Sequence, residues 1–351
     1  MRHARLLALS TALSTVLGGA LLLSACGGLF GSEATPPAAV APAPSAMHAQ
    51  LLEDVRVLSA DEMQGRDTGA PGGEMARTYI VGRLEALGVV APPMGRLQPW
   101  EMQGRTRAGP RTYNGVNVIG VIPGTRVTDR YIVVTAHYDH VGVNAEGQVF
   151  NGADDNASGV ATMLALAADL KRQAPEHSVL IVALDGEEHG LLGAKHFVEA
   201  PPVPLESIAM NLNFDMTARA ETDGKLWVTG TYQHPGFRPI LEGIPANGAV
   251  ALAFGKDTPQ DTGEDNWVEA SDHGAFYRAQ VPFLYLGVNY HPDYHRPSDD
   301  FDRITPSVFI SATELSIASF RALDRSLDRK KRARGSRKDT GLNSSRFGRL
   351  V

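Results

Sequence analysis

The sequence predicts a three-layer α/β sandwich with a mostly parallel central sheet. Three observations predict it. Short apolar runs recur along the chain, helical stretches separate them, and acidic and histidine residues gather just after the runs. Short continuous apolar runs suit strands buried on both faces, which is the habit of parallel sheets. Alternation of such runs with helices implies a layered α/β architecture.

The chain begins with a targeting pattern. Arg2 and Arg5 precede a nearly uncharged apolar stretch, Leu6 to Leu23, followed by Ser24-Ala25-Cys26. A positive start, a short apolar region and small residues before the cut read as a signal peptide over 1–26. Cys26 is the only cysteine, and its Leu-Ser-Ala context resembles a bacterial lipoprotein box. That context predicts lipidation at Cys26 and an exported protein anchored to the outside of a membrane. Residues 27–46 are rich in Gly, Ala and Pro and read as a flexible tether.

The body spans 47–327. Tyr131-Ile132-Val133-Val134 is the first strand candidate. A helix follows over about 158–172, with Asn156 and Ser158 as capping residues and Lys171 and Arg172 in its last turn. Val179 to Leu184 is the second strand and Gly190 to Glu199 a second helix. Residues 208–214 and 281–288 complete the set. Residues 255–266, with Gly255, Pro259 and Gly263, read as a loop near the site. The tail, 328–351, holds nine Lys/Arg against Asp328 and Asp339 and reads as solvated disorder.

The chain of 351 residues carries a formal charge of −6. The tail masks the body: residues 27–328 carry −16. An acidic body argues against nucleic-acid binding there and suits cations. With no thiol in the body, a metal site would have to use His, Asp and Glu.

Such residues are well placed. His137 and Asp139 follow the first strand, and Glu187 and Glu188 follow the second. Asp155 opens the helix at 158, Asp215 ends the 208–214 strand, and Tyr294-His295 come after the last. Sites in open α/β sheets form at the carboxyl ends of strands. Donors from five segments exceed one tetrahedral metal with an open position, but suffice for two metals sharing a carboxylate.

The segments His137-Tyr138-Asp139-His140, Gly152 to Gly159 (GADDNASG), Asp185 to Gly190 (DGEEHG), Asn213 to Met216 (NFDM) and Asp293 to Asp299 (DYHRPSD) resemble the M28 family of zinc peptidases. The resemblance covers about 48–325 and includes Asn117 to Gly120 and Ser271-Asp272-His273. It implies a zinc-exopeptidase, phosphorylase/hydrolase-like fold and two Zn2+ ions, with Mn2+ or Co2+ as possible substitutes. It implies that His137 and Asp215 bind one ion, Glu188 and His295 the other, and that Asp155 bridges. Glu187 becomes the general base, while Asp139 and Asp299 support His137 and His295. Tyr294 is a candidate donor to the oxyanion.

The expected activity is that of an aminopeptidase acting on peptides with a free N-terminus, with no nucleic-acid partner. Carboxypeptidases and glutaminyl cyclases resemble the same family, and a non-catalytic binding lipoprotein is a further alternative. Serine catalysis at Ser158 is disfavoured, since its Ala-Ser-Gly context lacks the G-x-S-x-G elbow. His140, His189, His196, His234, His273 and His291 are expected to be surface or capping residues. Asp154, Asp300 and Asp302 are expected to be solvated or to support ligands. Trp227, Tyr232, Phe254 and Trp267 are candidates for the specificity pocket or for core.

Overall fold

The computed structural model describes residues 45–106 and 109–327. The signal segment with Cys26, nearly all of the tether, and the basic tail lie outside these residues. Among the described residues the strands are β1 (Leu97–Thr106), β2 (Gly109–Ile122), β3 (Val127–His137), β4 (His177–Leu184), β5 (Ile208–Phe214), β6 (Lys225–Thr229), β7 (Ala251–Phe254) and β8 (Phe283–Gly287). The α-helices are α1 (Ala46–Leu58), α2 (Pro71–Ala86), α3 (Gly159–Arg172), α4 (Leu192–Glu199), α5 (Arg238–Leu241), α6 (His273–Arg278) and α7 (Pro306–Ser326).

The strands form one sheet in the order β1-β2-β4-β3-β5-β8-β6-β7. Parallel pairing joins β4, β3, β5 and β8, the four strands at its centre. Antiparallel β1 and β2 extend one side, and β6 runs antiparallel to β8 on the other. β7 pairs parallel to β6 at the far edge, and the other parallel pairs lie at the centre. There, helix-containing crossovers put carboxyl ends on one edge.

Side-chain alternation divides the core. Along β4, Val179, Ile181 and Ala183 pack with α1, α3 and α7, whereas Leu180, Val182 and Leu184 pack with α4 and α6. Ile132 and Val134 join the first face, and Val133 the second. A period of two sends neighbours to opposite sides. Every residue of β4 and β5 is buried, as strands covered on both faces require. Burying each Leu, Ile or Phe side chain contributes about 1.5–3 kcal/mol.

The helix expected at 158 starts at Gly159. Asn156 acts as a cap, its Oδ1 accepting the Gly159 N–H at 2.9 Å. Ser158 instead donates to the Asp154 carbonyl at 2.7 Å. At the far end, Asp324 of α7 accepts the N–H groups of Glu176 and His177 and the His177 ring, fixing the start of β4.

Candidate metal centre

Each central strand delivers one part of the site to the same edge. His137 is the last residue of β3, and Asp215 directly follows β5. The turn after β4 carries Glu187 and Glu188, and its first residue, Asp185, is itself anchored. Asp185 accepts bonds from the Val116 N–H, the Tyr138 hydroxyl and the Thr68 hydroxyl. Burial, then the Asp139 charge, lifts its carboxyl to about 7. Asp155 lies in the irregular turn before α3, with a cis peptide to Asn156. His295 arrives from the segment after β8.

These side chains converge. His137 Nε2 lies 3.2 Å from Asp215 Oδ1 and 3.4 Å from Asp155 Oδ1. His295 Nε2 lies 3.0 Å from Asp155 Oδ2 and 3.2 Å from Glu188 Oε2. The two oxygens of Asp155 therefore face two different imidazoles. Two groups of donor atoms result, each within 4.8 Å: His140, Asp155, Glu188 and His295 in one, and His137, Glu187 and Asp215 in the other. Glu187 and Glu188 are adjacent in sequence yet fall in different groups.

Nitrogen and oxygen donors without sulfur fit zinc or a similar divalent ion. Their spacing fits as well. Bonds of about 2.0–2.1 Å at tetrahedral angles place donors about 3.3 Å apart, and the four separations above run from 3.0 to 3.4 Å.

The electrostatics point the same way. Burial favours the neutral form of His295, but Asp155 and Glu188 outweigh it and lift the imidazole to about 11. Burial also opposes charge on His137, yet Asp215 and Glu187 hold its pKa well above the usual value. Glu187 is pushed well above the ordinary carboxylate range, first by burial; the nearby His137 opposes this and Glu188 adds to it. The pocket is rich in carboxylate charge that a cation would neutralise.

Several supporting residues behave differently from expectation. Asp139 does sit behind His137, but the contact at 3.2 Å is from the ring Nδ1 to its backbone carbonyl, with the carboxylate at 3.7 Å. Its carboxylate accepts the N–H groups of Glu187 and Glu188, which aims that turn. Asp299 was expected to support His295. It instead accepts the N–H groups of Asp154 and Asp155 at 3.0–3.1 Å, so it shapes the loop that presents Asp155. Being four residues on from His295 does not put it beside that ring, because the segment between them is a turn. Tyr294 stacks on His295, with ring centroids 4.0 Å apart, and lines the cavity beside the acids.

Three of the histidines expected to be surface or capping residues are buried: His140, His273 and His291. His140 contacts Glu188. His291 Nε2 lies 3.1 Å from Asp154 Oδ2, tying the loop of His295 to the loop of Asp155. Asp154 is likewise fully buried, accepting from Ala218 and Ser158. Sequence reasoning also missed Arg66. This fully buried side chain donates to the carbonyls of Leu58, Tyr138, Asn151 and Gly152 at 2.6–2.9 Å. Burial lowers its pKa to about 10, against the pull of Asp155 and Asp299. His140 carried a signal in the second histidine of His-Tyr-Asp-His; Arg66 carried none.

A cavity of about 30 Å3 lies between Asp155, Glu187 and Asp215 and an aromatic wall of Trp267, Tyr285, Tyr290 and Tyr294. A wider cleft of about 780 Å3 adjoins it through Ala270 and Tyr290 and includes Tyr232 and residues of the 257–266 loop. Of the candidate specificity residues, Trp267 reaches the cavity and Tyr232 the cleft; Trp227 packs edge-on against Trp267.

Histidines and carboxylates at donor spacing on this sheet edge make a candidate metal centre. The sequence model of peptidase family M28 matches residues 117–319, and the chain belongs to that family. Aminopeptidase YwaD of Bacillus subtilis is 28% identical over 217 residues, covering 58% of this chain and 43% of the relative. The "Probable lipoprotein aminopeptidase LpqL" of Mycobacterium tuberculosis is 28% identical over 226 residues, covering 56% and 43%. The chain thus spans less than half the length of these two relatives. The structure of a zinc aminopeptidase from Bacillus subtilis superimposes with a TM-score of 0.61 at 17% identity, over 78% of this chain and 94% of that one. That likeness is one of fold.

Proposed function

We propose that the chain is a two-zinc aminopeptidase that hydrolyses the first peptide bond of substrates with a free N-terminus. The observation that carries this reading is the placement of Asp155, whose two oxygens face His137 and His295. In this reading His137 and Asp215 hold one ion, Glu188 and His295 hold the other, and Asp155 bridges. The bound ions would supply electrophilic polarisation of the scissile carbonyl and acidify a water.

Glu187 then serves as general base. Its carboxylate takes a proton from the attacking water and returns it to the leaving amine. Burial, which raises its pKa, suits it to hold that proton between the two steps. Tyr294 lines the cavity that holds the acids, which supports a role for its hydroxyl as donor to the developing oxyanion. Asp139, Asp299 and Arg66 hold the ligand loops and need not touch substrate.

The cavity is small, about 30 Å3, and is walled by Trp267, Tyr285, Tyr290 and Tyr294. The descriptions of the relatives as aminopeptidases favour this reading over a carboxypeptidase.

We further propose export and lipid anchoring at Cys26, on the lipobox-like context and on the description of the mycobacterial relative as a lipoprotein aminopeptidase. No helix among the described residues is long and apolar enough to cross a membrane. The test of activity is hydrolysis of aminoacyl-anilides by the mature protein, after chelation and after zinc is restored. Loss and recovery of turnover are expected, with N-acetylated substrates left intact. Equal cleavage of blocked and free substrates would refute the aminopeptidase reading.

A further inference from the structure

We infer that His140 is a positioning residue: its Nδ1–H holds one oxygen of Glu188 and leaves the other turned toward His295 and Asp155. The inference rests on the two-metal reading above and assigns a role to a residue outside the five-ligand set.

His140 is fully buried. Its Nδ1 lies 2.7 Å from Glu188 Oε1 and 3.8 Å from Asp155 Oδ2. The other Glu188 oxygen, Oε2, lies 3.2 Å from His295 Nε2. Two imidazoles thus divide the two oxygens of one carboxylate.

A direct ligand role for His140 is the competing reading, because its donor lies within 4.8 Å of those of Asp155, Glu188 and His295. Distance separates the two. Atoms sharing one zinc sit about 3.3 Å apart, and the pairs made by His137 and His295 match that spacing. A separation of 2.7 Å is instead that of a charge-assisted N–H···O bond. Nδ1 then carries the hydrogen and Nε2 is bare. Nε2 is buried and has no hydrogen-bond partner among the described residues, so nothing competes for the ring's proton.

The ring is also confined. A Cβ on Gly152 would come within 2.5 Å of His140 Cδ2, and Gly152 has φ +55°. Glycine is needed there both for its backbone and for the room it leaves. Arg66 holds the Gly152 carbonyl from the other side. His140 therefore cannot swing away, and a held carboxylate offers one oxygen rather than choosing between one- and two-oxygen modes. Groups behind a ligand commonly set its orientation in this way, and their loss weakens metal binding by roughly 10- to 100-fold.

The test is zinc titration of the metal-free full chain by calorimetry, for wild type, H140L and H140N. The Asn amide nitrogen occupies the position of Nδ1, so H140N keeps the donor. Wild type should bind two ions. H140L should bind one ion with unchanged affinity and the other roughly 10- to 100-fold more weakly, and H140N should recover most of that loss. An unchanged second site in H140L overturns the inference, as does equal weakening of both sites. H140N as weak as H140L, with a cobalt absorption band showing one ligand fewer, would make His140 a ligand and overturn it too. Failure of the wild type to bind any zinc would instead remove the two-metal reading itself.

Discussion

The chemistry depends on the contrast between Glu187 and Glu188. Adjacent carboxylates experience opposite fields. Burial would lift both, but hydrogen bonds from His140 and His295 hold Glu188 well below the usual range, whereas Glu187 stays well above it. Two carboxylates pushed apart in this way mark one for charge and one for proton transfer. Glu187→Gln should therefore lower kcat by roughly 10²- to 10⁴-fold, with zinc content per chain unchanged in the same preparation. Tyr294→Phe should lower kcat by up to about 10²-fold if its hydroxyl meets the oxyanion; unchanged turnover on an aminoacyl-anilide would make it a packing residue. At this scale sequence was informative where a motif fixed both residue and spacing, as for His137, Asp155, Glu188, Asp215 and His295. It was silent where partners come from distant segments. The bond from Asp299 to the Asp155 loop spans more than 140 positions, and no local pattern announces it.

Among the elements, the loops at the sheet edge depend on buried polar braces. Arg66 satisfies four backbone carbonyls at once, two of them beside Asp155 and one beside Asp139. Arg66→Met would leave these acceptors buried without donors, at about 1–3 kcal/mol each. A loss of at least about 3 kcal/mol in urea unfolding is expected, and a loss under 1 kcal/mol would contradict the bracing role. The central strands were legible because continuous burial leaves only apolar residues, as in Val179 to Leu184. β1 and β2 were not. β1 contains Pro99 and Gln98, and the outer half of β2 is mostly exposed, so neither reads as an apolar run. β6 and β7 are short and lie at the edge, where partial burial weakens the pattern. The flanks of the sheet therefore escaped prediction.

For the molecule as a whole, stability should carry an acid signature from His273. Burial drives its pKa down to about 4, although its Nε2–H bond to the Trp267 carbonyl pulls the other way. A histidine held neutral in the fold loses ground once the unfolded chain can protonate. Its contribution is thus complete above about pH 6.5 and is lost as pH falls toward 4. His273→Gln keeps the donor without the titration. The difference in unfolding free energy between wild type and this variant should shrink by on the order of 2–4 kcal/mol from pH 7 to pH 4. A constant difference would contradict the assignment. The same global view explains why charge was a useful guide: a body at −16 concentrates carboxylates that its own histidines only partly offset.

The most direct measurement is the zinc content of the purified chain, by mass spectrometry after extensive dialysis. Two ions per chain are predicted, falling when His137, Asp155, Glu188, Asp215 or His295 is replaced by alanine. A chain that retains no zinc, or the same zinc after those replacements, would contradict the claim that these five side chains form a two-metal site.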